Sequence, residues 1–303
     1  MKKVSVVLPV YNGAQFVGKS IESVLSQTYE NIELIIVNDC STDDTESVIR
    51  DYAKKDNRIK IIENSTNQKL PKSLNIGFAN ASGDYYTWTS DDNRYKQNAI
   101  EKMVKALEAN PEYEFVYADY SMVKMDGTLI KKVENAEPEY IRFFCNVGAC
   151  FLYSKKLAEL AGEYNPEMFL AEDYEFWIRC YMHGKFIHIH EDLYYYGMHD
   201  NNLTSTRQQE IRHQAFYVMN YHYDFLISRC ITQDDKNRYY WDTLGFLDDK
   251  EEKCQVRRRY YELDASFKRA DRIKRCKETI LKLWSVRIAM KIKRKLFCSK
   301  MKE

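Results

Sequence analysis

Tyr85-Tyr86-Thr87-Trp88-Thr89-Ser90-Asp91-Asp92-Asn93 is the stretch on which the reading of the chain turns. An apolar-leaning run ends there in two adjacent carboxylates. Read as a strand, it sets Asp91 and Asp92 at its carboxyl end, the edge of an α/β sheet where ligands bind. Hard oxygen ligands at that edge suit Mg²⁺ or Mn²⁺, which keep most of their own water and bridge substrate phosphates. A solvated acidic turn would be written with the same letters, so the rest of the chain has to decide.

Upstream, Val4 to Val10 is apolar and β-branched and ends in the turn Tyr11-Asn12-Gly13. Val17, Ile21, Val24 and Leu25 then fall on one face of a helix. Ile32 to Val37 is nearly continuous in Leu, Ile and Val, as a parallel strand covered on both faces should be. The loop Asn38-Asp39-Cys40-Ser41-Thr42-Asp43-Asp44-Thr45 follows, with Ser41 or Thr42 expected to cap a helix that carries Val48, Ile49, Tyr52 and Ala53. Ile59 to Ile62 reads as a third strand, and Leu74 to Ala81 as a helix closed by Ser82-Gly83, with Gly83 just past its end.

Downstream, Ile100, Met103, Val104 and Leu107 mark a helix stopped by Asn110-Pro111, and Phe115 to Ala118 a strand. This alternation predicts an α/β fold: a doubly wound, mostly parallel, Rossmann-like central sheet with helices on both faces. Beyond a hairpin turn at Asp126-Gly127 the pattern loosens. Strands are expected at Cys150 to Tyr153, Phe186 to His190 and Leu193 to Tyr196, and a helix with an acidic first turn from Glu172. From about Thr206 the chain reads as helical and charged.

With 303 residues there is room for one large α/β domain and an appendage. At 45% hydrophobic and 30% charged residues the composition is that of an ordinary globular protein. Most of the 24 tyrosines are expected in the core. The eight cysteines show neither C-x-x-C nor metal-like spacing and read as reduced thiols. No apolar run suits a signal peptide or a membrane span, so a cytoplasmic protein is expected, and the Asn-x-Ser/Thr triplets at Asn64, Asn80 and Asn202 read as chance. His188 and His190 alternate onto one strand face, which reads as structural rather than metal-binding.

Neither G-x-G-x-x-G nor G-x-x-x-x-G-K-[ST] is present, so a dinucleotide fold and a P-loop enzyme are both set aside. Instead the sequence resembles the family 2 glycosyltransferases, inverting enzymes of the GT-A fold, over roughly residues 1–205. The resemblance rests on Val4 to Asn12, on Ser20 to Tyr29, and on Ile36-Val37-Asn38-Asp39-Cys40-Ser41-Thr42-Asp43-Asp44-Thr45. It continues through Asn75-Ile76-Gly77, Ala81 to Tyr85, Ser90-Asp91-Asp92 and Ala171-Glu172-Asp173-Tyr174-Glu175-Phe176-Trp177. Asn38, Cys40 and Ser90 depart from the family pattern, Ser90 standing where an acid is common.

The resemblance implies a nucleotide-sugar donor, in the first place a UDP-sugar, and a Mn²⁺ or Mg²⁺ cofactor. Pro9, Tyr11, Asn12, Asp39 and Asp91 would bind the nucleotide, with Asp39 accepting the uracil N3–H and Tyr11 stacking near the base. Asp92 would hold the metal and Asp173 would be the general base, with Glu172 as its competitor. His199 stands in a loop the family often writes Tyr-Arg-x-His, here with Gly197 in place of the arginine; it is a candidate diphosphate or acceptor contact. Asn146, Gly148 and Ala149 are candidates for the acceptor wall. The acceptor would be a saccharide or a lipid-linked saccharide, in surface-polysaccharide or capsule assembly. Residues 1–205 would form the catalytic domain and 206–303 a helical, basic region.

In that region Leu281, Trp284, Ile288, Ile292 and Leu296 repeat at helical spacing among lysines and arginines. Such a stripe, residues 280–297, suits the anionic surface at the inner face of the cell membrane. Nothing here resembles a nucleic-acid-binding module, and no nucleic-acid partner is expected. Two other readings fit the sequence less well. A nucleotidyltransferase would show a Gly-rich basic phosphate loop, and an inactive nucleotide- or glycan-binding scaffold would have lost its acids.

Overall fold

The computed structural model describes residues 1–278 and Leu281. Its elements begin β1 (Val4–Val10), α1 (Val17–Leu25), β2 (Ile32–Asn38), α2 (Thr45–Ala53), β3 (Ile59–Glu63), α3 (Lys69–Ala79) and β4 (Tyr85–Trp88), the alternation that the hydrophobic pattern predicts. Next come β5 (Arg94–Tyr95), α4 (Ala99–Ala109), β6 (Phe115–Lys124), β7 (Leu129–Val133), β8 (Cys150–Ser154), α5 (Lys155–Ala161), α6 (Glu172–His183) and β9 (Phe186–Met198). The helices α7 (Leu203–Thr206) and α8 (Gln208–Tyr221) follow.

The strands form one sheet in the order β3-β2-β1-β4-β8-β6-β9-β5, with β7 hairpinned onto β6. Every residue of β1 is buried, because it pairs in parallel with β2 and β4 and is covered on both faces. On one face Val4, Val6, Leu8 and Val10 meet Val17, Ile21 and Val24 of α1 in a core that also holds Ile100, Met103 and Val104 of α4. On the other face α3 lies on β1 and β2, and α5 lies on β4 and β8. Much of the tyrosine content is interior, as expected: Tyr117, Tyr153, Tyr164, Tyr174 and Tyr194 are fully buried. Phe115 stacks on Phe186 at 4.1 Å and meets the edge of Trp177 at 5.0 Å.

Three local expectations are corrected. Neither Ser41 nor Thr42 caps α2: Asp44 occupies that position without a side-chain bond, and Ser41 and Thr42 are turned toward Asn12. Gly83 does not close α3, which begins at Lys69 and ends at Ala79. Gly83 lies where the chain crosses β1, and a Cβ there would stand 2.6 Å from Ser5 Oγ. The two strands expected at Phe186 and Leu193 are one, β9, whose register against β6 slips around Asp119. A β-bulge of this kind keeps a strand continuous while breaking its alternation, which is why the sequence reads as an interruption.

The described chain forms two compact units, dividing after Leu226, within α9 (Tyr223–Ser228). The sequence pattern alone places the change of character near residue 205. In the first unit, α8 is tied to α6 through the buried Glu175. His222 contacts the Glu175 carboxylate at 3.1 Å and Arg179 grips it through two bonds of 2.8 and 2.7 Å. Burial alone would raise the Glu175 pKa, but these two partners outweigh it and hold it below the usual range.

In the second unit, α10 (Gln233–Gly245) starts with a Thr232–Asp235 capping box, and α11 (Lys250–Leu263) follows. Tyr240 stacks on Phe267 at 4.9 Å, and the hydroxyls of Tyr240 and Tyr261 both donate to buried Asp271. No helix among the described residues is long and apolar enough to cross a membrane. Apart from Leu281, the apolar stripe through Trp284 and Leu296 lies outside the described residues.

Arg179 also donates to the carbonyls of Ala161 and Glu163, so it joins α6 to the end of α5. Arg179→Ala leaves a buried carboxylate with half its partners. The expected loss is about 3 kcal/mol or more in a urea unfolding titration, the scale for breaking a buried pair from one side. A loss below about 0.5 kcal/mol would show that this brace does not bear on stability.

Candidate active site

Strand direction gathers the acids. Strands β1, β2 and β4 run parallel, and β8 is antiparallel to both β4 and β6. Since β9 is parallel to β6, it runs in the same sense as β1. The loops after β1, β2, β4 and β9 therefore open on one edge of the sheet, together with the loop that enters β8. In open α/β sheets that is the ligand-binding edge.

Asp91 and Asp92 follow β4 on this edge, as the sequence predicts. The Asp91 carboxylate lies against Gly13, where any Cβ would be 1.9 Å from Asp91 Oδ2. Glycine is required there because two loops pass in contact. Burial, and then the neighbouring charge of Asp92, push Asp91 up to about 7. Burial raises Asp92 as well. Two donors converge on Asp92 Oδ2: the Asn202 amide at 2.7 Å and His199 Nε2 at 3.2 Å. The His199 ring rests on Phe16 at 4.7 Å. Upstream, the Ser20 hydroxyl donates to the Ser90 carbonyl at 2.9 Å, fixing the start of the acidic turn from α1.

Gly197, the departure from the Tyr-Arg-x-His loop, has a steric reason. Its N–H donates to Asn93 Oδ1 at 2.9 Å, and a Cβ at this position would lie 2.2 Å from the Asp92 carbonyl oxygen. An arginine does not fit while β9 passes so near the acidic turn.

Asp39 is buried at the end of β2. Its Oδ1 accepts from the Asn64 amide at 2.7 Å and the Gln68 N–H at 2.8 Å, and its Oδ2 accepts from the Lys69 N–H at 3.0 Å. It thus steadies the start of α3, where Lys69 is held at a φ of 68°, a region that costs a non-glycine residue energy. A carboxylate has about four acceptor sites, and three are taken. Asn12, at a φ of 54°, is locked by its N–H to Ser41 Oγ at 3.0 Å and by its Oδ1 from the Thr42 N–H at 2.8 Å. Tyr11 beside it is 51% exposed. Pro9, the residue before the last of β1, is buried.

Glu172 and Asp173 open α6. Leu170 just before them has a φ of 80°, a strained value for a branched residue, and its N–H donates to Glu172 Oε2 at 2.6 Å. The Asp173 Oδ1 accepts from the Tyr174 N–H at 2.6 Å. Burial raises the pKa of both carboxylates, and the charge of Asp173 raises Glu172 further. The Tyr196 phenol near the end of β9 is hydrogen-bonded to the Thr204 hydroxyl at 2.9 Å, and burial raises its pKa. Gly148, at a φ of 68°, and Ala149 lead into β8. Asn146 is buried, its amide donating to the Glu137 carbonyl at 2.7 Å.

Sequence reasoning missed Asn202, Gly13 and Phe16. Asn202 and Asn64 were visible only as parts of Asn-x-Ser/Thr triplets, whereas both amides are committed to carboxylates of this edge. The donor set fits a hard divalent ion: adjacent carboxylates, both raised by burial and Asp91 also by the charge of Asp92, with no lysine or arginine bonded to either among the described residues. A cation relieves that repulsion directly.

Residues 5–161 match the family described as Glycosyl transferase family 2. A Haemophilus influenzae protein named an uncharacterized glycosyltransferase is 32% identical over 222 residues, 68% of this chain and 69% of its own. Among solved structures, S. aureus TarS 1–349 in complex with UDP-GlcNAc is similar at a TM-score of 0.57 and 16% identity, over 80% of each chain. Of the longer TarS chain, this one spans 50%. Mannosyltransferase PcManGT from Pyrobaculum calidifontis, in complex with GDP-Man and Mn²⁺, is similar at a TM-score of 0.63 and 15% identity, over 92% of this chain and 80% of that one. At such identities the likeness is one of fold, and it is the GT-A fold.

Asp91 yields a pH signature for metal-free protein. Its folded pKa lies above its unfolded value, so the folded state holds the proton more tightly. That stabilisation is present below about pH 4 and is lost as pH rises through about 7. Asp91→Asn abolishes the loss, so its stability advantage over the parent should grow from pH 4 to 7 and then level off. At about 1.4 kcal/mol per pKa unit the gain is at most a few kcal/mol. Denaturant melts in EDTA at pH 5 and pH 8 measure it; an equal difference at both would refute the repulsive pair.

Proposed function

The chain belongs to glycosyl transferase family 2, and we propose that it is an inverting, metal-dependent enzyme that moves a sugar from a UDP-sugar to a hydroxyl of a saccharide or lipid-linked acceptor. The observation that carries this reading is Asp92 at the end of β4, on the ligand-binding edge of the sheet, with the Asn202 amide and His199 Nε2 converging on its Oδ2. The nucleotide in one TarS complex and the Mn²⁺ in the PcManGT complex support the donor and cofactor.

Each residue then has a task. Asp39, with acceptor capacity left on Oδ2, takes the N3–H of a uracil ring, and the open Tyr11 ring stacks beside the base. Asn12 keeps the turn between them in shape, and Asp91 faces the ribose. Asp92 and His199 would hold Mn²⁺ or Mg²⁺. When bound, such an ion neutralises charge developing on the departing diphosphate. Burial raises both carboxyls and the charge of Asp173 raises Glu172 further; Asp173 takes the role of base.

Asp173 removes the acceptor hydroxyl proton as that oxygen attacks the anomeric carbon on the face opposite the diphosphate. One carbon–oxygen bond forms while the bond to the diphosphate breaks, so an α-linked donor gives a β-linkage. Asn146, Gly148 and Ala149 border the acceptor. Residues 1–205 act as the catalytic domain, and the basic stripe in 280–297 brings the enzyme to an anionic membrane on the cytoplasmic side, where surface polysaccharide is assembled.

Asp173→Asn tests the base. A general base contributes roughly 10²–10⁴-fold, so kcat should fall by at least about 10² while the Kd for UDP stays within about twofold. Loss of UDP binding in the variant, or a full loss of transfer in Glu172→Gln with Asp173→Asn active, would contradict the assignment.

A further inference from the structure

A second set of donors lies away from the acidic edge, where β6 and β9 run side by side. His188 faces Tyr117 in the register, its ring stacked on that phenol at 4.6 Å, and its side chain is 1% exposed. Its Nε2 lies 2.7 Å from Asp119 Oδ1, which also accepts the Asn135 N–H at 2.8 Å. A carboxylate so placed takes the proton on Nε2, and in a neutral ring Nδ1 is then a bare lone pair.

That Nδ1 is buried and has no hydrogen-bond partner. It points instead at another electron-rich atom, Glu137 Oε1, at 3.6 Å. The same oxygen lies 3.2 Å from His190 Nε2, and the two imidazoles are 4.2 Å apart. With the His190 proton on Nδ1, its Nε2 is an acceptor too, and a cation between the three groups would satisfy all of them.

We propose that His188 Nδ1, His190 Nε2 and Glu137 Oε1 bind a transition-metal ion, Zn²⁺ by donor type, with Asp119 as the carboxylate that orients His188. Two imidazoles and one carboxylate are a borderline donor set, suited to zinc and unlike the acidic pair at Asp91 and Asp92. Ligand atoms on a tetrahedral zinc at 2.0–2.2 Å stand roughly 3.3–3.5 Å apart. The 3.2 and 3.6 Å separations bracket that edge. Asp119 donating orientation through the far nitrogen completes a carboxylate–histidine–metal arrangement.

The β9 bulge supplies the local geometry. Ile189 pairs with Ala118 and Asp192 with Asp119, so His190 and Glu191 form the unpaired step. His190 is 70% exposed and Glu137 48%, which gives the ion a path from solvent and leaves a coordination position for water. This place is distinct from the donor edge. From Tyr117 to Lys124, paired with His188 and Met198, β6 runs roughly 23 Å at about 3.3 Å per residue. The bound ion would pin the backbone at Glu137, whose carbonyl Asn146 grips.

The test is zinc titration of EDTA-stripped, dialysed protein against a chromogenic chelator, with metal content by mass spectrometry. Wild type and Asp92→Asn should each bind one equivalent, and zinc should raise the Tm of both. Glu137→Gln and His190→Gln, at exposed positions that leave the fold intact, should weaken binding at least tenfold and abolish the Tm shift. No zinc binding by the wild type, equal affinity in both exposed-site variants, or loss of the site in Asp92→Asn alone would each overturn the proposal.

Discussion

Two like charges side by side at the end of a central strand are the constraint on which the rest of the site depends. Asp91 and Asp92 are partly withdrawn from water and repel each other, so each must be held in place by contacts that leave it able to meet a cation. The chain does this with small residues and neutral donors. Gly13 and Gly197 let the loop after β1 and the end of β9 press against the acidic turn, Ser20 fixes its first carbonyl, and Asn202 and His199 share one oxygen of Asp92. A lysine in any of these places would neutralise the pair and remove the reason for a metal.

The remainder of the edge follows from strand direction. Once β1, β2 and β4 are parallel, Asn12, Asp39 and Asp92 cannot avoid one another's neighbourhood, and the reversed β8 brings Gly148 and Ala149 to the same side. The helix α6 then delivers Glu172 and Asp173, with its position secured by Glu175, Arg179 and His222. Strain concentrates in the same region: among the described residues, Asn12, Cys40, Lys69 and Leu170 are the non-glycine residues with positive φ, three of them in loops and Lys69 at the start of α3. Stored strain of that sort is common where a loop must present groups to a ligand.

Much of this was legible in the sequence. The unbroken apolar runs of β1 and β2, the helical spacing of Val17 to Leu25 and of Ile100 to Leu107, and the acidic turn after β4 all read correctly, because each is a local pattern. What did not read were features set by tertiary contact. Ser41 and Thr42 look like helix caps until Asn12 is placed beside them. Gly83 looks like a helix terminator, yet it is small because β1 passes next to it. Asn202 cannot be assigned to Asp92 from a sequence separation of more than a hundred residues, nor can the β9 bulge be told from a break between two strands. The orphaned nitrogen of His188 likewise exists only once Asp119 has claimed the other one.

The central claim is that the edge after β4 binds a nucleotide through a divalent ion, and calorimetric titration with UDP in Mn²⁺ and in EDTA tests it most directly. Saturable UDP binding is expected in Mn²⁺, weakened at least tenfold in EDTA and equally weakened by Asp92→Ala. UDP binding of equal strength with and without the metal, or no binding of UDP at all, would contradict it.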